Sequence, residues 1–352
     1  MSGIRVTYSG LIAFAIGLCS IFTGLVFTLI VTRQLTPEQL GSWTLIGGLI
    51  TYVLVIEPMI SYWATRESAR SIESGKTALI SSSIFSTIAI SAYLIIVFFI
   101  SDASSVNKEI LFFAAILIPM IFVNRVLSAI NYGWQPHIER YGFLASEISK
   151  IPAGFMFVYY LEMGVEGAII ATVIGHFLSI IVLIIFGKKK LQGKFSINFL
   201  KKWLKLSWIS LYPGITGVII KLDVLIFTIL TGAVVGLAYY TAAFAVSSLV
   251  IHSGAISKAI YPKLLNDGKK EHLEGNLVRL LYFSIPLTAI SITFMRGGLF
   301  ALNPEYEIAM IVVLFLSLRT FASTLTVVFH RRCPELRKSI WMIDLMLSLI
   351  HI

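Results

Sequence analysis

A chain of 352 residues that is 57% hydrophobic and only 13% charged falls outside the range of water-soluble domains, which run at about 45–50% and about 25%. Its net charge of +10 does not point to nucleic acid, because the lysines and arginines fall in short connections between apolar runs rather than on one basic face. Two cysteines, Cys19 and Cys333, are too distant in sequence to define a disulfide framework or a metal-ligand spacing.

Apolar runs of about 18 residues or more read as membrane-spanning helices. Ten are expected here: 8–32, 42–63, 77–100, 109–131, 143–162, 167–187, 206–231, 237–262, 277–302 and 305–329. The first is too long for a signal-peptide core and lacks a small-residue cleavage site, so it reads as a retained span. Three basic residues follow span two and seven follow span six, whereas Arg33 and Lys108 stand alone in the first two odd connections. This bias predicts a cytoplasmic amino terminus.

The first external connection, Thr36-Pro37-Glu38-Gln39, has the Thr-x-x-Gln form of a capping box with proline at the first helical position, and Gly41 behind it permits close helix packing. Leu35, Thr36 and Gly41 match Leu230, Thr231 and Gly236 at an offset of 195, and Val55-Ile56 falls on Val250-Ile251. The spans correspond at the same offset. A repeat of six spans enters the membrane twice in the same sense, which predicts two parallel six-helix lobes of a transporter architecture. The expected organisation is an N-terminal lobe over 1–187, a basic cytoplasmic linker over 188–205, an incomplete C-terminal lobe over 206–329 and a doubtful tail over 330–352. Phe195, Phe199, Trp203 and Leu206 recur at helical spacing beside Lys201, Lys202 and Lys205, which reads as an interfacial helix among anionic headgroups or, nearly as well, as a simple basic linker that follows the positive-inside bias. The repeat predicts a second lobe reaching further than residue 352, so the chain is expected to lack its last helices. DLMLSLIHI resembles a read-through tail.

A charge at mid-membrane costs roughly 2.5–3.5 kcal/mol on insertion scales, so such groups face water or a partner. The candidates are Glu57, Arg125, Lys150, Lys221, Asp223 and Arg319. Arg125 is near enough to its span end to reach headgroups. Lys150 has Glu147 three residues earlier on one helical face. Arg33, Arg66 and Lys258 sit at span ends, where anchoring is the plain reading. Lys221 and Asp223, two residues apart, point about 200° away from each other. They need partners elsewhere, and Glu57–Lys221 and Asp223–Arg319 are possible pairs. His176 and His252 read as core histidines, and Pro119, Pro152, Pro213 and Pro286 are expected to bend their helices. No metalloprotease, phosphate-loop or nucleophile-elbow motif is present. No loop is long enough to gather catalytic groups, so no enzyme activity, cofactor or metal is expected.

Several further segments carry a resemblance: Arg33-x-Leu35 running through Thr36-Pro37-Glu38-x-x-Gly41 to Trp43, Ala64-Thr65-Arg66-Glu67-Ser68-Ala69, and Leu222-Asp223 followed by Gly236-Leu237-Ala238-Tyr239-Tyr240. Tyr261-Pro262-Lys263-Leu264 and Leu302-Asn303-Pro304-Glu305-Tyr306 complete the set. In order and spacing, over about residues 4–329, they resemble the polysaccharide flippases of the multidrug/oligosaccharidyl-lipid/polysaccharide exporter superfamily, an all-α, polytopic, MATE-like fold. The resemblance implies a cell-membrane flippase that moves a polyprenyl-(di)phosphate-linked oligosaccharide by alternating access, among membrane lipids and without nucleic acid. It implies a cationic cavity formed by Arg125, Lys150 and Lys221, with Arg66 and Arg319, and coupling to sodium or protons through Glu57 and Asp223. The competing readings are a multidrug or cation exporter of the same superfamily and, from another class, a membrane glycosyltransferase or polysaccharide polymerase.

Overall fold

The computed structural model describes residues 6–101, 104–252 and 271–330. All the regular structure among them is helical: α1 Val6–Gln34, α2 Pro37–Val53, α3 Pro58–Ala69, α4 Gly75–Ser101, α5 Lys108–Phe113, α6 Leu117–Trp134 and α7 Pro136–Gly154. There follow α8 Gly164–Gly187, α9 Ile197–Lys205, α10 Trp208–Thr231, α11 Val235–Ser247, α12 Glu271–Thr293, α13 Met295–Leu302 and α14 Met310–His330. Each of the ten expected spans coincides with helix. The last part of span eight, with Lys258 and the Tyr261–Leu264 segment, lies outside the described residues, as does the tail from 331.

Five helical stretches among the described residues are long and apolar enough to cross a membrane: Pro37–Ile56, Gly75–Ser101, Lys108–Trp134, Gly164–Leu191 and Pro304–Ser323. Ser284–Thr293 with Met295–Leu302 makes a sixth, bent by 64°. α7 does not reach that standard because Glu139, Arg140, Glu147 and Lys150 dilute its apolar run. The chain is a multi-pass membrane protein.

Several spans are interrupted rather than straight. A 3₁₀ turn, Leu54–Ile56, separates α2 from α3, and Pro58, which has no N–H to donate, starts α3. A π-helical segment, Phe155–Tyr160, follows Pro152 at the end of α7. Such breaks are tolerated within a membrane when neighbouring helices satisfy the freed backbone groups.

The chain forms two compact units, Met1–Val234 and Val235–Ile352. In the first, α7 lies along α8 and α1, and α6 along α3, α4 and α8. Lipid tails are as apolar as leucine, so polar contacts and close packing hold the helices together. The Ser68 hydroxyl donates to the Ile130 carbonyl at 2.8 Å, Ser82 to Phe122 at 3.1 Å and Tyr93 to Leu111 at 2.9 Å. Buried Asn131 bridges the Leu127 and Leu183 carbonyls at 2.9 and 3.2 Å. α10 packs in this unit against α2, the 3₁₀ turn and α3. The expected role of Gly41 is met there, since a Cβ at that position would lie 2.0 Å from the Val234 carbonyl oxygen. In the second unit, the buried Ser291 and Ser317 hydroxyls meet at 2.8 Å, Tyr239 packs edge-on against Tyr306 at 5.9 Å, and Arg296 pairs with Glu307 at 3.0 Å.

In the connector after α8, the structure turns Trp203 into the bundle rather than outward. Trp203 is fully buried in a cluster with Ile60, Trp63, Ala64, Ala78, Val126 and Ile130, and Phe199 stacks beside it.

Candidate functional site

The polar groups of the first unit gather on facing helical stripes. Glu57 and Ser61 stand one turn apart at the start of α3. Arg125, Ser128, Ala129 and Tyr132 follow one another at three- and four-residue spacing along α6, which places them on one face. With Glu139 and Arg140 from the first turn of α7, they line an open cleft of about 320 Å³. Along α6 the lining extends over seven residues, or about 10 Å of helix.

The deepest group is Glu57. Its side chain is 4% exposed, and one carboxylate oxygen, Oε2, faces Nη1 of Arg125 at 3.6 Å, while Arg125 is 49% exposed. That separation is an ion pair but too long for a good hydrogen bond. Oε1 of Glu57 is buried without a hydrogen-bond partner among the described residues. A guanidinium has five N–H donors in a planar fork, so Arg125 retains capacity to bind an anionic group entering the cleft. Glu57 holds the guanidinium at the inner end by charge.

The other predicted residues fall in different places. Lys150 forms a close ion pair with Glu147 on α7, and its ammonium lies 5.9 Å from the centre of the Phe27 ring. Both partners are largely buried, at 19% and 11% exposure. Arg66 lies over the Tyr62 and Trp63 rings at 5.5 and 5.6 Å and donates to the Tyr62 hydroxyl at 2.8 Å. Lys221 and Asp223 occupy α10, but their side chains lie outside the described set. Arg319 is half-buried on α14 in the second unit. Among the described side chains, Glu57 pairs with Arg125, a pair the sequence reading did not offer. The two residues are 68 positions apart, so no local spacing pairs them. His176 is half-buried in α8, and Asn124 donates to its backbone carbonyl at 3.5 Å.

Sequence reasoning missed Tyr132, Glu139 and Arg140, which read as ordinary connection residues until α6 and α7 bring them to the cleft. It also missed Glu67. This carboxylate is almost fully buried and pairs with Lys202 of α9 at 3.2 Å. An acid in the second of two successive charged positions, Arg66-Glu67, at a helix end looks like a solvated pair. Nothing local reveals that Glu67 turns inward.

No family model matches the chain. A Shigella flexneri protein provisionally named an O-antigen transporter is 29% identical over 300 residues, covering 76% of this chain and 69% of that protein. A multidrug-resistance MATE family transporter of the MOP superfamily in its inward-facing conformation superposes with a TM-score of 0.65, at 16% identity over 88% of this chain and 80% of the other. A MATE protein in complex with MaD3S superposes with a TM-score of 0.56, at 18% identity over 93% and 81% of the two chains. The fold is that of the MATE transporters. By sequence the chain is similar to the O-antigen transporter of Shigella flexneri. The MATE structures share the fold at 16–18% identity.

Proposed function

We infer that this protein is a flippase that carries a polyprenyl-(di)phosphate-linked oligosaccharide across the cytoplasmic membrane for surface polysaccharide assembly. The observation that carries the reading is the 300-residue relationship to the O-antigen transporter. The cleft supports it. A diphosphate-linked sugar stripped of water in hydrocarbon loses far more free energy than thermal motion supplies, and an arginine in a polar cleft replaces part of that hydration. Arginine is suited to phosphate because its fork binds two oxygens at once.

In this reading the two lobes of the repeat alternate the cavity between membrane faces, with the amino terminus in the cytoplasm. Arg125 binds the phosphate, and Lys150, Lys221, Arg66 and Arg319 are further candidates for the cationic lining. Glu57 and Asp223 are candidates for sodium or proton coupling. Protonation or cation uptake at Glu57 would weaken its hold on Arg125 and strengthen phosphate binding there, which couples the two by charge alone. The multidrug-exporter reading gains no specific support from the cleft, where Arg125 and Arg140 are paired with Glu57 and Glu139.

The test is substitution in cells. Arg125→Ala is expected to stop delivery of the lipid-linked intermediate to the outer face while the protein stays at normal abundance. Delivery that survives, or that falls only in step with abundance, counts against the assignment.

A further inference from the structure

The connector between α8 and α10 holds seven lysines and no acidic residue over positions 188–207. Both ends are ends of long helices, at Gly187 and Trp208, so the connector runs along one face of the bundle. It does not hang free. Ser196 N–H donates to the Thr77 hydroxyl at 2.9 Å, which itself donates to the Lys194 carbonyl at 3.5 Å. Gly75 lies so close beneath that a Cβ there would sit 2.2 Å from the Lys190 carbonyl oxygen. Trp203 is buried in the bundle, and Lys202 is committed to Glu67.

These contacts fix which side of α9 faces out. Ile197, Lys201, Leu204 and Lys205 follow at four, seven and eight residues, one stripe of a helix, and all four are exposed. Lys194 and Phe195 are exposed just ahead of it, and Trp208 just after. A stripe facing acyl chains would be apolar throughout, and one facing bulk water would be polar throughout. Alternating lysine with isoleucine and leucine suits the plane between headgroups and acyl chains. The clamped backbone removes the ordering cost that a free basic segment would meet on binding.

We propose that this outward stripe is a binding site for anionic phospholipids. Lys194, Lys201 and Lys205 bind their phosphate-bearing headgroups, and Ile197 and Leu204 contact the first carbons of the acyl chains. Lys202, though next to Lys201, serves the bundle instead. The site is separate from the cleft and does not depend on what the protein transports.

Native mass spectrometry of the full chain in detergent, titrated with phosphatidylglycerol or phosphatidylcholine, tests this. The wild-type chain is expected to retain phosphatidylglycerol in preference to phosphatidylcholine. Since each lysine near an anionic headgroup contributes roughly fivefold in affinity, Lys194→Gln, Lys201→Gln and Lys205→Gln together should reduce that preference at least about tenfold, with the thermal melting unchanged. The corresponding triple arginine variant should retain it, and Lys202→Gln should keep the preference while melting at lower temperature. Should the triple glutamine variant not fold, Lys201→Gln and Lys205→Gln alone should each show the roughly fivefold loss. A wild-type chain without the preference overturns the proposal. So does a glutamine variant that keeps it, or a Lys202→Gln loss as large as the triple variant's, which would mark a mere count of charges.

Discussion

At the scale of single residues, position along a helix decides what a charge can do. Lys150 and Glu147 were legible as a pair because three residues along a helix bring side chains together. Both are largely buried, so removing one leaves the other unpaired. Lys150→Ala is expected to cost about 3–5 kcal/mol of stability, and replacing both residues by apolar side chains of similar volume to recover most of it. Thermal unfolding of the purified variants measures this. If the stabilised double variant also flips substrate normally, Lys150 belongs to the packing and not to the cavity. Glu57 and Arg125 were legible singly, as costly charges, but not as partners. Their meeting depends on α3 lying along α6, a tertiary fact with no sequence period.

At the scale of elements, local chemistry was the most readable layer. The Thr36 hydroxyl accepts from Gln39 N–H at 3.3 Å and the Gln39 side chain accepts from Thr36 N–H at 3.1 Å, the capping box the sequence predicts. Thr36→Ala is expected to cost about 1 kcal/mol, seen as a small fall in melting temperature. Its counterpart in the repeat behaves differently. Thr231 is the last residue of α10, and Gly232 closes that helix with φ of 65°, a left-handed conformation in which glycine carries no Cβ penalty. The amphipathic pattern of α9 was also visible, yet its direction was misread. Amphipathicity states that a helix has an apolar face, not whether protein or lipid covers it. Trp203→Ala should therefore behave as a core deletion, losing about 3–5 kcal/mol, whereas Leu204→Ala on the outward stripe should leave the melting temperature nearly unchanged.

At the scale of the whole chain, the repeat at an offset of 195 predicts more than span positions. The 3₁₀ turn Leu54–Ile56 after α2 has a counterpart in Ser248–His252 after α11. α4, Gly75–Ser101, corresponds to α12, Glu271–Thr293, and the end of α6 corresponds to that of α14. Breaks recurring at matched positions are harder to attribute to chance than apolar identities, because each break forgoes regular backbone hydrogen bonds and must be satisfied by neighbours. The order of the helices was legible because hydrophobic length is read directly against bilayer thickness. The cleft was not, because its lining comes from three helices and a connection.

Reconstitution is the most direct measurement of that central claim. Purified protein in proteoliposomes should move a fluorescent polyprenyl-diphosphate oligosaccharide between leaflets, read as the fraction protected from an added membrane-impermeant quencher, and Arg125→Ala of equal melting temperature should not. Protection that changes no faster in wild-type vesicles than in protein-free ones, with the protein folded and correctly inserted, would contradict the account.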